Sequence, residues 1–122
     1  MCANGAAAPL PAPRVSTEQQ FQLALEAQSA REYRAMLLWL RRAATAGDVQ
    51  AQEMLGLALL VGPTLYGPAI KADRCEAGHW LARASAQGSE AARVSLDFLN
   101  RLRLAPSGQD VCQAWRGVPA PY

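Results

Sequence analysis

One short run occurs twice in this chain and constrains its fold more than any other feature. Trp39-Leu40-Arg41-Arg42-Ala43-Ala44-Thr45-Ala46-Gly47 returns 41 residues later as Trp80-Leu81-Ala82-Arg83-Ala84-Ser85-Ala86-Gln87-Gly88, with Trp, Leu, Arg, Ala and Gly in the same slots. Self-similarity at such a period belongs to stacked helical hairpins, in which each unit buries its apolar face on the next. Ala and Leu dominate the composition and β-branched residues are few, which favours helix over strand. The expected fold is all-α: a short right-handed α-solenoid of antiparallel helical hairpins, about five helices plus a short C-terminal turn. At 122 residues this is one small domain.

Helix boundaries follow from caps and periodicity. Ser16 with Gln19, or Thr17 with Gln20, fits a capping box, and Phe21, Ala24 and Leu25 continue at helical spacing to about Ala30. A second helix begins near Arg31, where Tyr33, Met36, Leu37, Leu40 and Ala44 form one apolar stripe. Gly47 supplies the left-handed turn that ends it, and Asp48 caps the next. The third helix spans about Val49 to Val61 and is apolar on most sides, so it is expected to be buried on most sides. Gly56 inside it implies close approach of a neighbour, expected beneath Trp80 or Trp39. Two Gly-Pro pairs keep Gly62 to Ala72 from being helical throughout. Asp73 caps a fourth helix that Gly88 ends, and a fifth runs from Ser89 to about Leu104 with Ala92, Leu96, Leu99 and Leu102 or Arg103 at its seam. Asp110 to Trp115 is expected to form a last turn capped by Ser107.

The chain divides into a Pro- and Ala-rich tether over 1–15, a helical repeat domain over 16–105 and a capping tail over 106–122. Met1-Cys2-Ala3-Asn4-Gly5 resembles the start of a mature bacterial lipoprotein behind an added Met, which marks Cys2 as a lipid-attachment residue. The alternative is an incidental Cys near an ordinary start. If Cys2 carries lipid, Cys75 and Cys112 remain as an even pair for a disulfide in an oxidising compartment. The alternative there is two buried free thiols that pack as small apolar residues. Trp115 and Tyr122 are expected to fold back on the last helix, or else to present a segment to a partner.

With these residues in view, the chain resembles the Sel-one-like repeat family, relatives of tetratricopeptide repeats. Ala51, Leu55, Gly56, Leu59 and Gly62 match the family's first helix. Gly67, Ile70 and Asp73 resemble its loop, and Glu76, Ala77, Trp80, Ala84, Ser85 and Gly88 its second helix, with Glu76 where Lys is usual. Residues 48–88 thus look like one nearly complete repeat, flanked by half-repeats over 31–47 and 89–102. The departure is an insertion, Gly62 through Tyr66, which either projects Leu65 and Tyr66 as a binding edge or folds them back over the core.

The inventory for chemistry is thin. A net charge of +2 gives no strong field for nucleic acid or anionic membrane. Eleven of the twelve basic residues are Arg, scattered as on solvated helix faces. His79 is the one histidine, no Cys-x-x-Cys or phosphate-cradling loop occurs, and no nucleophile, base and orienting group fall together. No cofactor and no metal are expected. The family's members commonly act as adaptors in assembling secretion, pilus or polysaccharide-export complexes. The resemblance therefore implies a non-catalytic, monomeric adaptor that receives a helix or extended peptide of a partner protein. It would be lipid-anchored on the periplasmic side of the outer membrane, with Leu65, Tyr66 and Ile70 as contacts and Arg31, Arg34 and Arg41 at the rim. A cytoplasmic accessory protein with reduced cysteines is the second reading, and a small hydrolase the third.

Overall fold

The computed structural model describes residues 15–104 together with Cys112. Cys2, Trp115, Tyr122 and nearly all of the tether and tail lie outside the described residues. Within them the chain is all-α: α1 (Thr17–Ser29), α2 (Tyr33–Thr45), α3 (Val49–Val61), α4 (Pro63–Tyr66), α5 (Arg74–Ala86) and α6 (Glu90–Leu104), with a 3-10 turn at Gly67–Ala69. Consecutive long helices pack side by side, α1 on α2, α2 on α3, α3 on α5 and α5 on α6. The three-residue connections make α1 and α2, α2 and α3, and α5 and α6 antiparallel pairs. No helix among the described residues is long and apolar enough to cross a membrane.

Local signals set the ends. Ser16 and Gln19 form the reciprocal capping box, with the Gln19 N–H donating to Ser16 Oγ at 3.1 Å and the Ser16 N–H to Gln19 Oε1 at 2.8 Å. Asp48 and Asp73 cap α3 and α5 through the N–H groups of Ala51 and Glu76. The helix expected from Arg31 starts two residues later, at Tyr33, because Arg31 itself takes a left-handed φ of 59°.

The core runs the length of the stack. Met36, Leu40, Leu55, Leu59, Ile70, Trp80, Leu81 and Leu99 are the large residues at its centre. α3 lies in the middle and buries Ala51, Gln52, Leu55, Gly56, Ala58 and Leu59, while Leu57 and Val61 remain exposed. A Cβ on Gly56 would come within 2.6 Å of Leu81 Cγ, so the neighbour that requires glycine there is Leu81, not either tryptophan. Trp80 is 1% exposed, whereas Trp39 only packs against the edge of the core.

Polar seams link one hairpin to the next. Gln52 is fully buried on α3; its Nε2 donates to the Ala44 carbonyl at 3.0 Å, and its Oε1 accepts from Gln87 Nε2 at 2.7 Å. Glu76, also buried, holds Arg41 of α2 in a two-pronged ion pair at 2.7 and 3.1 Å and accepts the Trp80 indole N–H at 3.0 Å. Pairing and complete hydrogen bonding allow a carboxylate to be buried at all. Cys75, at the start of α5, is bonded to Cys112, with a Cα–Cα distance of 5.3 Å.

Candidate protein-interaction surface

Three tight turns connect helices here: Ala30-Arg31-Glu32, Ala46-Gly47-Asp48 and Gln87-Gly88-Ser89. All close with the same two backbone hydrogen bonds. The N–H of Gly47 donates to Ala44 and that of Asp48 to Ala43, at 3.0 and 3.1 Å. The N–H of Gly88 donates to Ser85 and that of Ser89 to Ala84, at 2.9 and 3.0 Å. The N–H of Arg31 donates to Gln28 and that of Glu32 to Ala27, at 3.0 and 2.8 Å. This pattern needs a left-handed middle residue, and φ is 103° at Gly47, 100° at Gly88 and 59° at Arg31. Glycine takes that conformation freely, while a residue with a Cβ is strained by about 1–2 kcal/mol. Arg31 is the one non-glycine residue with positive φ among those described.

The third residue of the turn differs as well. Asp48 Oδ1 and Ser89 Oγ accept the N–H groups of Ala51 and Ala92, capping α3 and α6 at 2.8 and 3.0 Å. Glu32, in the same slot, makes no side-chain cap. The first turn of α2 is therefore left without the side-chain partner that its counterparts have.

Around this uncapped, strained turn lies an open depression of about 400 Å³ lined by Arg31, Glu32, Tyr33, Arg34, Ala35 and Ala69. Arg31 and Arg34 are both exposed. The ion pairs seen among the described residues belong to Arg41 and Arg93 instead. The inserted loop packs against one of these lining residues, Tyr33. Tyr66 is 9% exposed, with its ring set edge-on to Tyr33 at 5.0 Å. Burial pushes the Tyr66 hydroxyl above its ordinary range, partly offset by a hydrogen bond from Gln28 and reinforced by Tyr33. The Asp73 N–H donates to the Leu59 carbonyl at 2.9 Å and holds the far end of the loop on α3.

These positions correct part of the expected contact set. Arg31 and Arg34 come together at the depression. Leu65 projects, at 64% exposed, but does not line it. Ile70 is fully buried and Tyr66 nearly so, and both are core. Of the two fates open to the insertion, Tyr66 takes the inward one and Leu65 the outward one. Arg41 turns inward to Glu76 and is not a rim residue.

Glu32, Tyr33 and Ala69 are lining residues that sequence reasoning missed. The signal for the turn was present: aligning the three turns places Arg31 in the slot of Gly47 and Gly88 and Glu32 in that of Asp48 and Ser89. Among the described residues no group of three or more His, Cys, Asp and Glu side chains is placed to hold a metal ion. His79 stacks edge-on to Trp80 at 4.7 Å. Burial, and then the nearby Arg83, hold its imidazole below the usual histidine range, against the opposing pull of Glu76. No protein-family model matches this sequence, and neither a curated protein nor a solved structure matches it.

Proposed function

We propose that this protein is a non-catalytic adaptor that docks a segment of a partner protein in the depression at the start of α2. The observation that carries this reading is the coincidence of the open depression with the one tight turn that breaks the pattern of the other two. Local rules that natural chains break are concentrated where function requires it. Two exposed guanidinium groups against one carboxylate, Glu32, favour a partner segment with acidic side chains, bound as a helix or an extended peptide. Leu65 is exposed in the same connection as Ala69, between α3 and α5, and offers an apolar side chain there.

The resemblance of residues 48–88 to a Sel-one-like repeat supports the adaptor role and the solenoid reading of the helix stack. The Cys75–Cys112 bond supports export, because such bonds persist in oxidising compartments. Together with the lipoprotein-like start at Cys2, this favours a lipid-anchored monomer facing the periplasm, where it would assist assembly of an envelope complex.

A photo-cross-linking residue at Ala69 tests the docking. Capture of one partner that is lost in the Arg31→Ala/Arg34→Ala double variant, and retained when the cross-linker variant also carries Leu38→Ala, supports it. Capture indifferent to both arginines overturns it. A diacyl or triacyl mass on Cys2 of native material tests the anchor, and an unmodified Cys2 refutes it.

A further inference from the structure

The 12 basic and 10 acidic residues nearly cancel over the whole chain, but they are sorted by helix. α2 carries Arg34, Arg41 and Arg42 and no carboxylate. α5 carries Arg74 and Arg83 against one carboxylate, Glu76, which is buried and turned inward to Arg41 and Trp80. α1 and α3 have the reverse, Glu18, Glu26 and Glu53 with no basic residue. Packing turns this sorting into a surface. Gln87, after α5, bonds Gln52 near the start of α3, and the Asp73 N–H, before α5, bonds the Leu59 carbonyl near the end of α3. α5 is therefore antiparallel to α3, as α2 is, and α2 and α5 run parallel. Arg41 and Glu76 bridge them directly, while α6 packs on α3. α2 and α5 thus form one layer, and neither helix carries an exposed carboxylate.

The outer face of that layer is regular. Arg34, Leu38 and Arg42 stand in one row at spacing i, i+4, i+8, about 12 Å long. Both arginines are exposed, and Leu38, 39% exposed, stands between them. Arg83 on α5 occupies the repeat slot of Arg42 and is also exposed. Each of the two guanidinium groups lies over the tryptophan of its own helix, at 5.0 Å from Trp39 and 5.5 Å from Trp80, so both project from the same side of the layer. Ala82 and Ala86, exposed beside Arg83, keep that part of the face low. The ion pairs seen among the described residues engage Arg41 and Arg93, not these three arginines.

A cationic face of this kind attracts an anionic surface, and its side chains suit a bilayer best. Guanidinium groups bind lipid phosphates by charge-assisted hydrogen bonds. A leucine among them is suited to the boundary between headgroups and acyl chains. Nucleic-acid bases would find no free ring to stack on, because Trp80 is buried and Trp39 lies under Arg42. The depression that suits a protein segment lies beyond Arg34, at the start of α2, and not on this face.

We propose that the outer face of the α2/α5 layer, with Arg34, Leu38, Arg42 and Arg83, rests on an anionic lipid bilayer. Three arginines bind such a surface weakly, so the face orients a molecule that a second attachment holds nearby. The inference does not require the docking depression or a lipid on Cys2.

The full, oxidised chain with Cys2 unmodified tests it on two kinds of vesicle at low salt. One is phosphatidylcholine alone, and the other is phosphatidylcholine with phosphatidylglycerol in equal parts. Partition into the second only is expected, and it should fall steeply with added salt. Arg42→Gln/Arg83→Gln, which leaves Arg31 and Arg34 in place, should lower that partition about 25-fold, about fivefold for each arginine. Arg42→Lys/Arg83→Lys should restore most of it. Leu38→Trp should give an indole emission that brominated phosphatidylglycerol quenches. Failure to bind the anionic vesicles overturns the proposal, as does equal binding to both kinds or binding indifferent to the glutamine changes. Capture of an acidic protein by a cross-linker at Ala82, with no vesicle binding, also overturns it and assigns the face to that protein. Loss of partner capture at Ala69 leaves these outcomes unaffected, so the two readings fail separately.

Discussion

The two hairpins share a helix pattern and differ in how they are closed and covered. α1 and α2 are joined by three residues, Ala30 to Glu32, with a strained arginine in the middle. α3 and α5 are joined by twelve, Gly62 to Asp73, which include α4 and fold back so that Tyr66 meets Tyr33 of the first hairpin. Each hairpin has the repeated Trp with an Arg over its ring, Arg42 at 5.0 Å from Trp39 and Arg83 at 5.5 Å from Trp80. Only Trp80 has a carboxylate one turn before it. Glu76 accepts its indole N–H and Arg41 from the preceding hairpin, whereas the first hairpin has Ala35 in that slot. The other repeated apolar positions are core in both hairpins, Leu40 and Ala43 as much as Leu81 and Ala84, and the Trp slot alone differs, being core where a preceding hairpin supplies Arg41 to Glu76. α2 has no such neighbour among the described residues, and Trp39 stays at the edge.

The comparison is broken most sharply at the tryptophans. Trp80→Ala removes a fully buried indole and leaves Glu76 short of a donor, which should destabilise by about 4 kcal/mol. Trp39→Ala should cost about 1–2 kcal/mol, because its ring is only partly buried and its indole N–H has no buried carboxylate one turn before it to leave behind. Denaturant unfolding of both variants measures the gap, and equal losses would mean that the second hairpin is no better covered than the first. Next in size is the covalent tie that the second hairpin alone possesses. Cys75→Ser opens a loop of sequence separation 37 and should lower stability by about 3–4 kcal/mol relative to the oxidised chain. The same variant under reducing conditions should match the reduced parent.

The first hairpin offers the opposite sign. Arg31→Gly relieves the left-handed strain at the price of a more flexible unfolded chain, and should stabilise by about 0.5–1 kcal/mol. Glu32→Asp restores the missing cap and should add about 1 kcal/mol. Arg31→Gly should at the same time weaken partner capture at Ala69. A variant that is more stable and equally competent in binding would separate the strain from the function and defeat the proposed site.

The contrast between the hairpins also shows what could be read from residues alone. Periodicity and caps gave α3 its observed bounds, Val49 to Val61, because these signals act within a few residues of one another. Gly56 announced a close neighbour, but the identity of that neighbour, Leu81, depends on how α5 is rotated against α3. The inserted Tyr66 could be read either as a projecting edge or as folding back over the core, and only the tertiary return of the chain onto Tyr33 decides it; Ile70, expected as a contact, is fully buried. Arg41 reads from sequence as a rim contact; its partner Glu76 is 35 residues away and no local pattern joins them. The candidate depression needs both levels, a turn motif visible on alignment and a loop residue, Ala69, brought to it by tertiary structure.

The smallest expected difference lies in the response to acid, and it too separates the hairpins. The slot of His79 in the second hairpin is occupied by Leu38 in the first, so only the second can titrate there near neutrality. The folded state holds His79 below the reference value of 6.5, chiefly by burial and secondarily through Arg83. Above that value the imidazole is neutral in both states and contributes nothing to the pH dependence. As pH falls below it, the unfolded chain takes up the proton first, so stability declines until the folded state is protonated too, and the decline from this group then ends. His79→Gln should remove that part of the slope and leave stability at pH 8 nearly unchanged, because the glutamine side chain keeps a polar group beside Trp80. Parallel stability–pH curves for the parent and His79→Gln would show that His79 is as easily protonated in the folded chain as in the unfolded one. That result would place its ring in water and not against Trp80.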